Sequence, residues 1–178
     1  VPKKEIALLS DFEEKMERIA RSTIGKNVTN ISGVPSWMMA VIKRILEITG
    51  AQSLDEVWPN LEIFFHGGVS FGPYRETYKQ LIRGDRMQYR ETYNASEGFF
   101  GVQNDPADPA MMLMLDYGVF YEFIPMEEIG KENPTIIPLT DVEVGRNYAL
   151  VISNLCGLWR YMIGDTIRFT NKNPYKFV

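Results

Sequence analysis

Apolar residues recur at helical spacing in two early segments. Phe12, Met16, Ile19 and Thr23 fall on one face, behind Ser10-Asp11-Phe12-Glu13. That tetrad reads as a capping box, with Ser10 capping and Glu13 reaching back, and predicts a helix to about Ser22. Met38, Val41, Ile42, Ile45 and Leu46 form a second stripe, between Pro35 at a first turn and Gly50 at an end. Leu61 to Phe65 is a short apolar run before His66-Gly67-Gly68, as a buried strand entering a turn would be. Pro73 opens a third helix, with Tyr74, Tyr78, Leu81 and Ile82 inward, and Met87 to Tyr93 alternates as a strand.

The pattern then changes to short strands. Met111 to Leu115 and Val119 to Ile124 flank Asp116-Tyr117-Gly118, a hairpin signal. Tyr148 to Ser153, Leu158 to Tyr161 and Thr166 to Phe169 follow, punctuated by Gly145, Gly157 and Gly164. The expected fold is α/β: an α/β layer over 1–104, then a β-rich subdomain over 105–178, with Asn104 to Pro109 as the polar loop between them. Met111, Met112, Met114, Phe120 and Phe123 are expected in the core.

Composition adds limits. The 178 residues are 45% hydrophobic and 24% charged, with a net charge of -4 and scattered basic residues, which argues against nucleic acid as a partner. No run approaches a membrane span or a signal peptide. The single cysteine, Cys156, excludes an internal disulfide and a cysteine zinc site. It reads as a buried bystander in a reducing cytoplasm.

Three places carry candidate chemistry. His66-Gly67-Gly68-Val69-Ser70 follows a strand, and paired glycines let a flat ligand lie against bare backbone; the plain alternative is a turn. Tyr93-Asn94-Ala95-Ser96-Glu97-Gly98 puts an aromatic face, a hydroxyl and a carboxylate at a strand end, where ligands of open α/β sheets gather. The same residues also make a solvated loop. Gly157 to Asp165 ends in Gly-Asp, a turn pair whose carboxylate can also accept from both hydroxyls of a ribose.

Taken together and in order, these segments resemble the auxin-responsive Gretchen-Hagen family of acyl-acid amido synthetases, within the adenylate-forming, firefly-luciferase-like superfamily. Gly67 to Tyr74 is similar to that family's Gly-Ser-Met segment ahead of Pro-Tyr. Tyr93 to Gly98 resembles Tyr-Gly-Ser-Ser-Glu-Gly, and Tyr121-Glu122-Phe123-Ile124-Pro125 resembles Phe-Glu-Phe-Ile-Pro. Gly157 to Asp165 resembles Gly-Leu-Tyr-Arg-Tyr-Arg-Leu-Gly-Asp. The resemblance spans about Asn60 to Val178, with a weaker stretch from Asn27 to Gly50. It implies that Gly67, Gly68 and Ser70 line the adenine side of an ATP site and that Tyr93 lies near the base. It further implies that Ser96 contacts phosphate, Glu97 holds Mg²⁺ and Asp165 binds ribose. Arg160 and Tyr161 share the last motif, though Arg160 also reads as an ion-paired strand residue. His66, next to the glycine pair, either touches the acyl carboxylate or is a hydrogen-bonded structural residue.

The departures matter. Asn94 and Ala95 replace Gly and Ser, and Met162 replaces a second arginine. The family's Ser/Thr/Gly-rich phosphate loop and its C-terminal lid domain are not among these residues. The rest of its own polypeptide is therefore an expected partner, and residues 1–178 alone are expected to be inactive. The implied activity is ATP-dependent activation of a carboxylic acid as an acyl-adenylate and its transfer to an amine, usually an amino acid. An acyl-CoA ligase differs only in its thiol acceptor. A non-catalytic β-rich interaction module is the reading from a different class.

Overall fold

Residues 2–178 are described by a computed structural model, in which the chain divides into two units at Glu91 and Thr92. Within the first unit, the short α1 (Lys4–Ala7) precedes α2 (Phe12–Thr23). The cap of α2 is Asp11, not the Ser10 of the expected capping box: its carboxylate accepts from the Glu14 amide at 2.7 Å. A charged oxygen one residue nearer the helix satisfies one of the orphan N–H groups of the first turn and also meets the positive helix start. Ala20 and Thr23 are buried on the inner face, whereas Phe12, at its end, stays half exposed.

A strand that the apolar pattern did not announce, β1 (Asn30–Gly33), leads into α3 (Pro35–Thr49). Pro35 opens α3, and Gly50 ends it with φ +72, a left-handed conformation that glycine takes without a Cβ clash. An ion pair at 2.5 Å between Glu17 and Arg44 joins α2 to α3. After α4 (Leu54–Val57) come β2 (Ile63–His66), a 3₁₀ turn at Gly72–Tyr74, α5 (Arg75–Leu81) and β3 (Gln88–Ala95). β2 runs parallel to β1 and to residues Gln88–Glu91 of β3. Ile31, Ile42, Ile45, Leu54, Phe64 and Tyr78 fill the core of this unit. The Tyr78 hydroxyl, buried with its ring, donates to the Pro35 carbonyl at 2.8 Å.

The second unit opens with Thr92–Ala95 of β3, which turns at Ser96-Glu97 into the antiparallel β4 (Gly98–Val102). β5 (Met111–Leu113), β6 (Val119–Pro125), β7 (Ile137–Pro138), β8 (Asn147–Asn154), β9 (Tyr161–Lys172) and β10 (Tyr175–Phe177) complete it. Their order here is β3-β4-β5-β10-β9-β8-β6-β7.

Four further expectations change. β5 and β6 do not form a hairpin, because β5 pairs with β4 and β10, and β6 with β7 and β8. The Asp116-Tyr117-Gly118 signal is a chain reversal between strands whose partners come from elsewhere. Leu158 to Tyr161 is not a strand: pairing resumes only at Tyr161. Phe120 is 62% exposed and Cys156 is exposed, not buried. Phe120 lies on the outer side of β6, beside the inward Tyr121, and Cys156 lies in the turn after β8.

The core here holds Phe100, Phe123, Tyr148, Leu150, Phe169 and Phe177. Gly101 of β4 has no room for a side chain, since a Cβ there would lie 2.6 Å from the Phe177 ring.

Candidate functional site

In the first unit, His66 closes β2 and is 3% exposed. Its imidazole stacks on Phe71, with ring centres 4.2 Å apart and planes 18° apart. The Arg75 guanidinium stands 5.2 Å over the same Phe71 ring. Burial, and then the Arg75 charge, push His66 down to about 4, so the ring is neutral at pH 7. This packing supports the structural reading of His66. The chain then comes to the surface: Gly67 is half-buried, while Gly68 and Ser70 are exposed. Gly68 holds φ +80, where a Cβ would be strained and would also lie 3.4 Å from Val34. The turn thus presents bare backbone and one hydroxyl.

In the second unit, the β3–β4 hairpin and β9 bring the remaining residues together. The Tyr93 hydroxyl donates to Asp165 Oδ2 at 2.6 Å, across 72 residues of sequence. The Tyr93 ring packs on Phe100 and Phe177 at centre distances of 5.0 and 6.1 Å, so the core fixes the direction of the hydroxyl. Burial, the bond to Asp165 and the charges of Asp165 and Glu97 all push the Tyr93 pKa up. Both carboxylates therefore act on one phenol. Ser96 and Glu97 form the turn between β3 and β4, with Ser96 exposed and Glu97 half-buried. The Glu97 carbonyl accepts from Asn154 Nδ2 at 3.0 Å.

Arg160 is engaged elsewhere. Its guanidinium donates to both Glu122 oxygens, at 3.0 and 2.6 Å, and holds the Glu122 pKa below the usual carboxylate range. This bidentate pair agrees with the ion-paired reading and joins two of the four motifs. Arg160 also has φ +46, the one positive φ among the described non-glycine residues. Tyr161, exposed at the start of β9, pairs in register with Ile152. Asn154 and Glu122 escaped notice as participants in the sequence. Glu122 lay inside a recognised motif without a role, and Asn154 fell between the run ending at Ser153 and the motif starting at Gly157.

A cavity of about 610 Å³ lies within the first unit, lined by Met16, Ile19, Ile31, Val34, Trp37 and Met38 among others. None of the motif residues lines it. Among the described residues, no three His, Cys, Asp or Glu side chains cluster to hold a metal, and no helix is long and apolar enough to cross a membrane.

Comparison with known proteins follows this division of the chain. The GH3 family N-terminal domain matches residues 1–87, and the GH3 family central domain matches residues 112–177. A jasmonoyl–L-amino acid synthetase of Oryza sativa subsp. japonica is 34% identical over 137 residues, covering 66% of this chain and 23% of that protein. An indole-3-acetic acid-amido synthetase of Arabidopsis thaliana is 31% identical over 136 residues, covering 70% of this chain and 22% of that protein. The chain thus spans less than a quarter of the length of these relatives. Among solved structures, an acyl acid amido synthetase superposes with a TM-score of 0.71 at 19% identity, over 97% of this chain and 40% of that one. A 2-hydroxyisobutyryl-CoA ligase superposes with a TM-score of 0.64 at 12% identity, over 91% of this chain and 37% of that one. These two share the fold of this chain. With both family domains matched in order along the sequence, the chain belongs to the GH3 family.

Proposed function

We propose that this chain is the nucleotide-holding part of an ATP-dependent acyl-acid amido synthetase. Such an enzyme activates a carboxylic acid as its adenylate and passes the acyl group to an amine, in the simplest case an amino acid. The observation that carries the reading is the hydrogen bond between Tyr93 and Asp165, which joins the second and fourth motifs at one place in the second unit. Glu97, in the turn that follows Tyr93, adds a second carboxylate.

A free carboxylate resists nucleophiles because its carbon is electron-rich and lacks a good leaving group. Attack of its oxygen on the α-phosphorus of ATP forms the acyl–phosphate bond and releases pyrophosphate. The amine then attacks the activated carbonyl carbon, forming the amide, losing a proton and expelling AMP. In this scheme Asp165 accepts from the ribose hydroxyls, with its carboxylate aimed by Tyr93. Ser96 donates to a phosphate oxygen. Positioning of this kind removes much of the entropic barrier to an in-line displacement.

The residues present suit a nucleotide-borne Mg²⁺. That ion keeps waters and phosphate oxygens and takes only one or two carboxylates from protein, so Glu97 alone suffices without a cage. Bound there, it would neutralise phosphate charge. A cytoplasmic setting belongs to the same proposal.

The test is ATP–pyrophosphate exchange by the full-length protein over a panel of carboxylic acids. Asp165→Asn and Glu97→Gln are each expected to lower exchange about 100-fold, the scale set by removing one aligned electrostatic contact. Exchange equal to wild type in both variants defeats the proposal. Trapping with amino acids against CoA then decides between amide and thioester products.

A further inference from the structure

We infer that Asn154 is a positioning residue: its side chain ties the Ser96-Glu97 turn to the turn that follows β8, so that Glu97 and the Gly157–Asp165 segment are held as one body. This deepens the function proposed above and rests on it. The amide of Asn154 is used at both ends. Nδ2 donates to the Glu97 carbonyl at 3.0 Å, 57 residues away. Oδ1 accepts from the Cys156 and Leu158 amides, at 3.0 and 3.2 Å. The Asn154 backbone closes the same turn, donating from its N–H to the Leu158 carbonyl at 3.0 Å and accepting from Gly157 at 3.4 Å. Next along, Ser153 Oγ accepts from the Arg160 amide at 3.0 Å.

The chemistry asks for asparagine. Bridging two backbone N–H groups on one side and one carbonyl on the other needs an acceptor and a donor fixed in a single plane, which a carboxamide supplies on a short stem. Aspartate keeps the acceptor and loses the donor; it also sets a negative charge against the Glu97 carbonyl oxygen. The bonded atom is the main-chain oxygen of Glu97, so the tether positions the turn and leaves the Glu97 carboxylate available. The neighbourhood favours such a device. Leu155 is 95% exposed and Trp159 is 81% exposed, so apolar packing holds this turn mainly through Leu158, and its hydrogen bonds set the rest of its shape.

The experiment compares the full-length wild type with Asn154→Asp and Asn154→Ser, by amide hydrogen–deuterium exchange and by ATP–pyrophosphate exchange against Mg²⁺ concentration. Asn154→Asp is expected to speed deuterium uptake about tenfold in the 93–98 segment, while melting within a few degrees of wild type. It is also expected to raise the Mg²⁺ concentration for half-maximal activity several-fold, with little change in the KM for the acid. Asn154→Ser loses the reach to Glu97 and should match it. Uptake at 93–98 unchanged from wild type in both variants overturns the tether, whatever the activity. Altered uptake with an unchanged Mg²⁺ profile overturns the positioning role alone. A wild type that shows no exchange with any acid sinks the adenylation reading, and the positioning role falls with it.

Discussion

The Tyr93 hydroxyl donates to Asp165 at 2.6 Å, from a ring that Phe100 and Phe177 hold in place. The core of the second unit thus sets the direction of an exposed carboxylate, and one phenol converts hydrophobic packing into alignment of a polar group.

Removing that hydroxyl is the direct test. Tyr93→Phe keeps the ring and frees Asp165, and should cost about 1 kcal/mol of stability, the usual net worth of one such bond. In the full-length protein the KM for ATP should rise more than kcat falls. Alkaline stability follows from the raised Tyr93 pKa: the folded state prefers the neutral phenol more than the unfolded chain does. That contribution is complete below pH ~10, the ordinary phenol value, and is lost as pH climbs above it. Urea midpoints should therefore fall less steeply between pH 9 and 11 in Tyr93→Phe than in wild type.

His66 makes the opposite prediction. Its pKa drops from 6.5 to about 4 on folding, so the unfolded chain takes up the proton first. The stability it contributes is intact above pH 6.5 and drains away as pH falls towards 4. By linkage the difference amounts to roughly 3 kcal/mol. Chemical denaturation at pH 7, 5.5 and 4.5 should show a loss in wild type that His66→Phe lacks.

Arg160 combines a left-handed backbone with a bidentate ion pair. Both Arg160→Ala and Arg160→Gly lose the pair, but only glycine relieves the backbone. Arg160→Gly should therefore unfold at higher urea than Arg160→Ala. The reverse order would show that the local backbone relaxes once the guanidinium is gone.

Gly101 tests the packing under the site. A methyl group 2.6 Å from the Phe177 ring has to displace it. Gly101→Ala should destabilise by about 1–3 kcal/mol, the cost of overpacking a filled core. Calorimetry of the double variant with Phe177→Leu should recover part of that loss, since leucine vacates the space that the methyl group takes.

Local chemistry made several features of the chain readable before any coordinates. Pro35 and Gly50 marked α3 because φ restriction and left-handed freedom are properties of single residues. The runs at Leu61 to Phe65 and Tyr148 to Ser153 announced β2 and β8 by apolar density. The motifs at Tyr93 to Gly98 and Gly157 to Asp165 pointed to the family, which the two family domains then established. β1 and β10 stayed hidden because each has only three or four residues and takes its identity from its neighbours.

Partnership was what tertiary structure alone decided. The signal at Asp116 to Gly118 suggested a hairpin, yet β5 and β6 pair with other strands, because pairing depends on the burial available across a whole sheet. The bond of Tyr93 to Asp165, the clasp of Arg160 on Glu122 and the reach of Asn154 to Glu97 span 72, 38 and 57 residues. A sequence determines the chemical capacity of each such group. Which donor meets which acceptor follows only when the strands carrying them have packed, since hydrogen bonds act over about 3 Å and the chain must first close the long loops between their partners.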